Sequence, residues 1–223
     1  MRNGTYDPAT HTYERRGQAL VSVTDALKEA GLVETWGTEY HLSRGRATHA
    51  SINYHLEDDL DWSSVDPIVL PYVRAAQACL RDLKPELIIA VERSVFHPTL
   101  PVAGTPDLVI RRLGHRLLLD FQSGGMSPSK ALQTALYEWL GRAPCQRWGV
   151  QLLPNEQYRL HPFRERSDQG VGLTAIYKAL DARGIDPINI FGVRLTKKQV
   201  DHVLTTWKRS HRFRDLRTYR SAT

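Results

Sequence analysis

The sequence predicts an α/β domain in which helices flank a mixed central β-sheet, and three observations carry that reading. Residues 108–110 and 117–119 are short apolar runs on either side of a polar turn at Gly114 and His115, the pattern of two adjacent strands buried on both faces. Apolar residues recur at helical spacing before this pair, at Val69, Tyr72, Val73, Ala76, Leu80 and Leu83, and after it, at Leu132, Leu136, Trp139 and Leu140. The chain has 223 residues, 41% hydrophobic and 24% charged, which suffices for one good core. The expected division is a domain over residues 1–195 followed by a basic helix and tail over 196–223.

Taken in order, residues 6–13 and 19–23 read as short extended pieces that turn at Gly17. Ser22 and Asp25 resemble a capping box opening a short helix that Gly31 ends. A longer helix spans residues 39–56 and places Gly45, His49 and Asn53 on one face, with Arg46 close beside them. The acidic run at 57–61 has no spacing that converges on a site and reads as a solvated helix end or loop. A core-covering helix follows over 66–83, with Pro67 in its first turn. Residues 87–91 form a strand that carries Glu92 near its end, and a Pro98-containing loop leads into Gly104.

Past the central pair, a helix opens at Ser127 and Pro128 and stops at Gly141. Residues 149–153 and 157–163 alternate around Pro154 and Asn155 as a closing hairpin, before a helix over 168–182. Residues 185–195 read as irregular or extended. Thr196 and Gln199 form a second capping box, starting a helix with Val200, Val203, Leu204 and Trp207 on one side.

The chemistry concentrates at Asp107 and Asp120, which sit near the ends of the two central strands. A carboxylate beside a buried run is costly to ionise, and two that converge also repel each other. A divalent cation answers both costs, and oxygen-rich sites suit Mg²⁺ or Mn²⁺. A lone aspartate at a strand end is also a common turn residue or surface ion-pair partner, so the order of motifs has to decide.

That order is Gly104-Thr-Pro-Asp107, then Asp120-Phe-Gln-Ser-Gly124, then Gln133 and Tyr137 four residues apart, with Arg44-Gly-Arg-Ala-Thr-His49 upstream. It resembles the PD-(D/E)XK nuclease superfamily, most closely its RecB-type exonuclease branch, over residues 20–165. The resemblance implies a restriction-endonuclease-like core and a DNA exonuclease of processing, recombination or repair, of the kind phages also encode. It further implies one or two Mg²⁺ or Mn²⁺ ions held by His49, Asp107, Asp120 and the Phe121 main-chain carbonyl, with Gln133 and Tyr137 bordering the site and contacting the DNA backbone. Arg44, Arg46 and Lys130 join them as expected DNA contacts. Glu92 is a candidate third carboxylate, and an ion pair with Arg93 or Arg111 would explain it equally; Gln133 and Tyr137 would also suit a half-buried tyrosine with an amide partner.

One position departs from the family pattern. Gln122 stands where most relatives carry a lysine that holds the attacking water and offsets phosphate charge. Glutamine orients water but brings no charge, and losing such a partner costs on the order of a hundredfold in rate. Lys130, on the following helix, is the expected source of the missing charge. The alternative is a catalytically weak or inactive nuclease fold that binds DNA; an RNA-directed nuclease is a third class.

The formal charge is +6, and its excess gathers at the C-terminus, where Lys208, Arg209, Arg212, Arg214, Arg217 and Arg220 face only Asp215. Cations interleaved with Phe213 and Tyr219 suit a strand with single-stranded character, through phosphate contacts and base stacking. A solvated tail would have the same composition. Cys79 and Cys145 are too few for a zinc ribbon or a four-cysteine cluster, so no iron-sulfur cluster is expected. The first residues lack the apolar core of a signal peptide, and no apolar run reaches the roughly twenty residues of a membrane span. A cytoplasmic protein without a membrane partner is expected; a protein partner is compatible with the chain, and the sequence assigns no oligomeric state.

Overall fold

The computed structural model describes residues 4–8, 10–33 and 38–211. Its elements in chain order are β1 (Thr5–Asp7), β2 (Thr12–Arg15), β3 (Gln18–Ala19), β4 (Val21–Ser22), α1 (Val23–Glu29), α2 (Glu39–Leu56) and α3 (Leu70–Leu83). There follow β5 (Leu87–Val91), β6 (Val95–Phe96), β7 (Val102–Gly104), β8 (Leu108–Arg112), β9 (His115–Gln122) and α4 (Ser129–Gly141). The chain closes with β10 (Gln146–Leu152), β11 (Tyr158–Phe163), α5 (Ser167–Asp181), α6 (Ile188–Phe191) and α7 (Lys197–Ser210).

The expected α/β architecture is present: a five-stranded mixed sheet in the order β11-β10-β9-β8-β5, with helices on both faces. Within this sheet only β9 and β10 pair in parallel, because α4 carries the chain from one to the other; its remaining neighbours are antiparallel. Strand β9 is the centre, and its side chains alternate between two cores. Leu118 joins α1, α4, α5 and α7 in one cluster, whereas Leu117, Leu119 and Phe121 join α3 and Ile52 of α2 in the other. Burial on both faces is why β9 reads as an almost unbroken apolar run.

Local chemistry explains the boundaries. The β8–β9 loop is Leu113-Gly114, both at positive φ (50° and 74°), a two-residue turn whose twist matches the strands it joins. Ser22 caps α1, its hydroxyl accepting from the Asp25 N–H at 2.9 Å. Helix α2 has the predicted limits; the His41 ring reaches back to the Thr38 N–H at 3.2 Å. It buries only Thr48 and Ile52, so most of its surface stays open. The Thr196–Gln199 capping box starts α7, which buries Val200 and Leu204 in the same core as α5.

Several expectations are corrected. Helix α3 begins at Leu70 rather than at 66, with Pro71 in its first turn, because Asp66 instead closes a turn by accepting from the Ile68 N–H. The loop before Gly104 contains the fully buried strand β7, which pairs in parallel with β4 and antiparallel with β6. Three residues are too few to show a period, so the signal was absent. Gly141 is the last residue of α4, and Arg142 takes the left-handed cap at φ 51°. Residues 188–191 form the one-turn helix α6 within a stretch read as irregular. Arg212, Phe213, Arg214, Arg217, Tyr219 and Arg220 lie outside the described residues. Among the described residues no helix is long and apolar enough to cross a membrane.

Candidate active site

The central hairpin brings the two aspartates together. Asp107 lies just before β8 and Asp120 within β9, whose backbone closes the distance: the Phe121 N–H donates to Asp107 Oδ2 at 2.7 Å. His49 approaches from α2, with Nδ1 3.6 Å from the same oxygen. Lys130 approaches from the first turns of α4, with Nζ 3.0 Å from Asp120 Oδ2 and 3.2 Å from Oδ1. Four of the residues named from sequence thus share one cleft, supplied by a strand entry, a strand and two helices.

The electrostatics follow from burial. Asp107 is pushed up to about 6, first by loss of water and then by Asp120, against the lowering effect of His49, Lys130 and the Phe121 N–H. Burial alone would lower Lys130, but Asp120 and Asp107 outweigh it and hold the ammonium above its ordinary value. Lys130 is therefore charged at neutral pH. Both oxygens of buried Asp120 face this one ammonium, and among the described residues Oδ2 has no hydrogen bond beyond that ion pair. A buried carboxylate oxygen with free lone pairs is costly, and it is also a ready cation ligand.

Gln133 and Tyr137 border the cleft from α4. Gln133 Nε2 donates to Tyr137 Oη at 2.7 Å and reaches Thr24 at 3.3 Å. Burial, then Asp120, raises Tyr137 well above the ordinary phenol value, so it remains neutral with its own O–H free to donate. Gly104 makes room for it: a Cβ there would lie 2.6 Å from the Tyr137 ring. Thr24 and Gly104 belong to the site wall, yet neither carries a sequence signal for that role beyond Gly104's place in the motif.

Gln122 is half-buried at the end of β9, and no hydrogen bond or ion pair of its side chain occurs among the described residues. Other candidates make no side-chain hydrogen bond or ion pair with Asp107 or Asp120 among the described residues. Arg44 folds back onto the protein, donating to the Ser123 carbonyl at 2.7 Å and lying 4.9 Å over the Tyr72 ring. Arg46 is exposed and paired with Glu39 at 2.8 Å. Glu92 is exposed at φ 37°; its backbone N–H bonds the Asp107 carbonyl, while its charge acts on Tyr6 and Tyr13. Arg212 and Arg214 fall outside the described residues.

The donor set of two carboxylates and an imidazole suits Mg²⁺ or Mn²⁺ chemically. Among the described residues no three His, Cys, Asp or Glu side chains are gathered as a complete ligand group. A cation here would take its remaining ligands from water, main chain or substrate, as Mg²⁺ commonly does.

No family model matches the chain, and no curated protein matches it. Among solved structures it has a likeness to the crystal structure of SSO0001, at 11% identity and a TM-score of 0.31, covering 86% of this chain and 87% of that one.

Proposed function

We propose that this chain is a Mg²⁺- or Mn²⁺-dependent DNA nuclease of exonuclease type, built on a restriction-endonuclease-like core of the PD-(D/E)XK superfamily. The observation that carries the reading is the position of Lys130, whose Nζ lies 3.0 Å from Asp120. It supplies, from α4, the positive charge that Gln122 cannot supply from β9. A bound ion held by Asp107 and Asp120, with His49 beside them, would provide Lewis acidity at the phosphate and acidify a water. Lys130 offsets charge that builds on the phosphoryl oxygens, where a fixed cation in a water-poor cleft acts most strongly. Gln122 orients the water through its amide. Gln133 and the free Tyr137 O–H hold the nucleic-acid backbone without reading its sequence.

A second reading has its own support. Lys130 is already engaged with Asp120, and Gln122 is uncharged, which suits a nuclease fold that binds DNA without cutting it. Cleavage of end-labelled single- and double-stranded DNA with Mn²⁺ separates the two. The nuclease gives products that disappear in Asp107→Ala and fall about a hundredfold in Lys130→Ala. A salt-sensitive complex without products would establish the binder, and faster cleavage of RNA would move the substrate class.

A further inference from the structure

The far end of α4 walls a groove made of two adjoining depressions. The first, about 790 Å³, lies between His97 and Thr99 of the β6–β7 connection, Trp139 of α4 with Arg142 just past its end, and Arg166 ahead of α5. The second, about 460 Å³, is bounded by Trp148, Phe163 and Arg164. Both share Glu138, Arg147 and Arg166, so they form one continuous surface.

The charges in this groove are of two kinds. Arg147 is buried and committed to the fold, donating to the Ala131 and Glu165 carbonyls at 2.8 and 2.9 Å, with Asp168 at 3.4 Å and Glu138 at 3.5 Å. Glu138 is held by Arg147 and by the Cys145 N–H. Arg142, Arg164 and Arg166 are exposed and make no ion pair or side-chain hydrogen bond among the described residues. Three unpaired guanidiniums along one groove form a site for several anionic groups rather than one.

One side of the first depression is aromatic. His97 stacks on Trp139 with ring centroids 4.6 Å apart. The His97 Nδ1 accepts from the Leu100 N–H at 2.9 Å, which fixes the neutral tautomer, and burial with nearby Arg142 and Arg15 lowers its pKa further. Stackable rings beside spaced guanidiniums are what a flexible strand of nucleotides requires.

We propose that this groove is a second nucleic-acid site, distinct from the carboxylate cleft, that takes a short single strand. Its phosphates meet Arg142, Arg164 and Arg166, and a base lies against the His97–Trp139 wall. The site does not depend on the cleft being catalytic.

The test is binding of a fluorescent oligothymidylate to the full chain in EDTA, by anisotropy over a range of salt, for the wild type and Arg164→Glu/Arg166→Glu. Both positions are exposed, so circular dichroism should be unchanged. The expected result is about tenfold weaker binding and a salt slope lower by roughly 1.4, at about 0.7 per lost contact. Hydrogen exchange should show protection of residues 97–99 and 138–148 when the oligomer is added. Loss of less than about threefold, or protection confined to α2 and the carboxylate cleft, overturns the site. Equal affinity for polyglutamate or for free dTMP overturns the strand as its ligand.

Discussion

Two cations pack against α4, Arg147 from β10 and Lys130 from the helix's own first turn, and they are finished to different degrees. Arg147 spreads its guanidinium over two carbonyls and two carboxylates, so its donors are accounted for. Lys130 faces two carboxylates with a single hydrogen bond, to Asp120, and Asp107 beside it keeps a pKa raised to about 6. A saturated buried charge ties elements together; an unsaturated one is held ready for something else. The folding energy lost at such a place is offset by the rest of the core, as is common at functional sites.

The largest effect should come from removing the saturated cation. Arg147→Met leaves Glu138, Asp168 and two carbonyls unanswered and should cost about 3–5 kcal/mol in urea denaturation. Retention of wild-type stability would break the distinction between the two cations. Lys130→Met should cost less, because Asp107 and Asp120 can share a proton once the ammonium is gone. Its melting temperature should recover on adding Mn²⁺, whereas Mn²⁺ does not rescue Arg147→Met.

The raised pKa of Asp107 gives a third comparison. A carboxyl whose folded pKa lies above its unfolded value favours the folded state only while protonated. In EDTA the wild type should therefore lose stability as the pH rises from about 4 to about 6, by on the order of 2 kcal/mol. Asp107→Asn should flatten that slope, and an unchanged slope would place the titration elsewhere. The smallest effect concerns the hairpin that sets the site. Leu113 is 71% exposed yet sits at φ 50°, so Leu113→Asn should stabilise by about 0.5–1 kcal/mol without altering the cleft.

Much of the fold was legible because local physics states it directly. The bounds of α2, the caps of α1 and α7, and the β8–β9 turn all follow from residues within four positions of each other. Strand β7 was not legible, since a three-residue strand is defined by its partners β4 and β6, not by a period of its own. Arg147 carried no signal either: one arginine in a strand looks exposed until α4 and α5 are placed over it. Arg44 read as a phosphate contact from its place in the motif, but its position in space puts Ser123 and Tyr72 within reach.

The site divides in the same way. Sequence alone named Asp107, Asp120, His49 and Lys130, because residue type and order along the chain are enough to nominate chemistry. Only the tertiary structure decided that Lys130 meets Asp120, that the Phe121 N–H fastens Asp107, and that the Glu92 N–H bonds the Asp107 carbonyl. Those outcomes depend on where the sheet and α4 bring distant side chains, and a charge's partner, pKa and role are set by distance and burial that no spacing in the chain records.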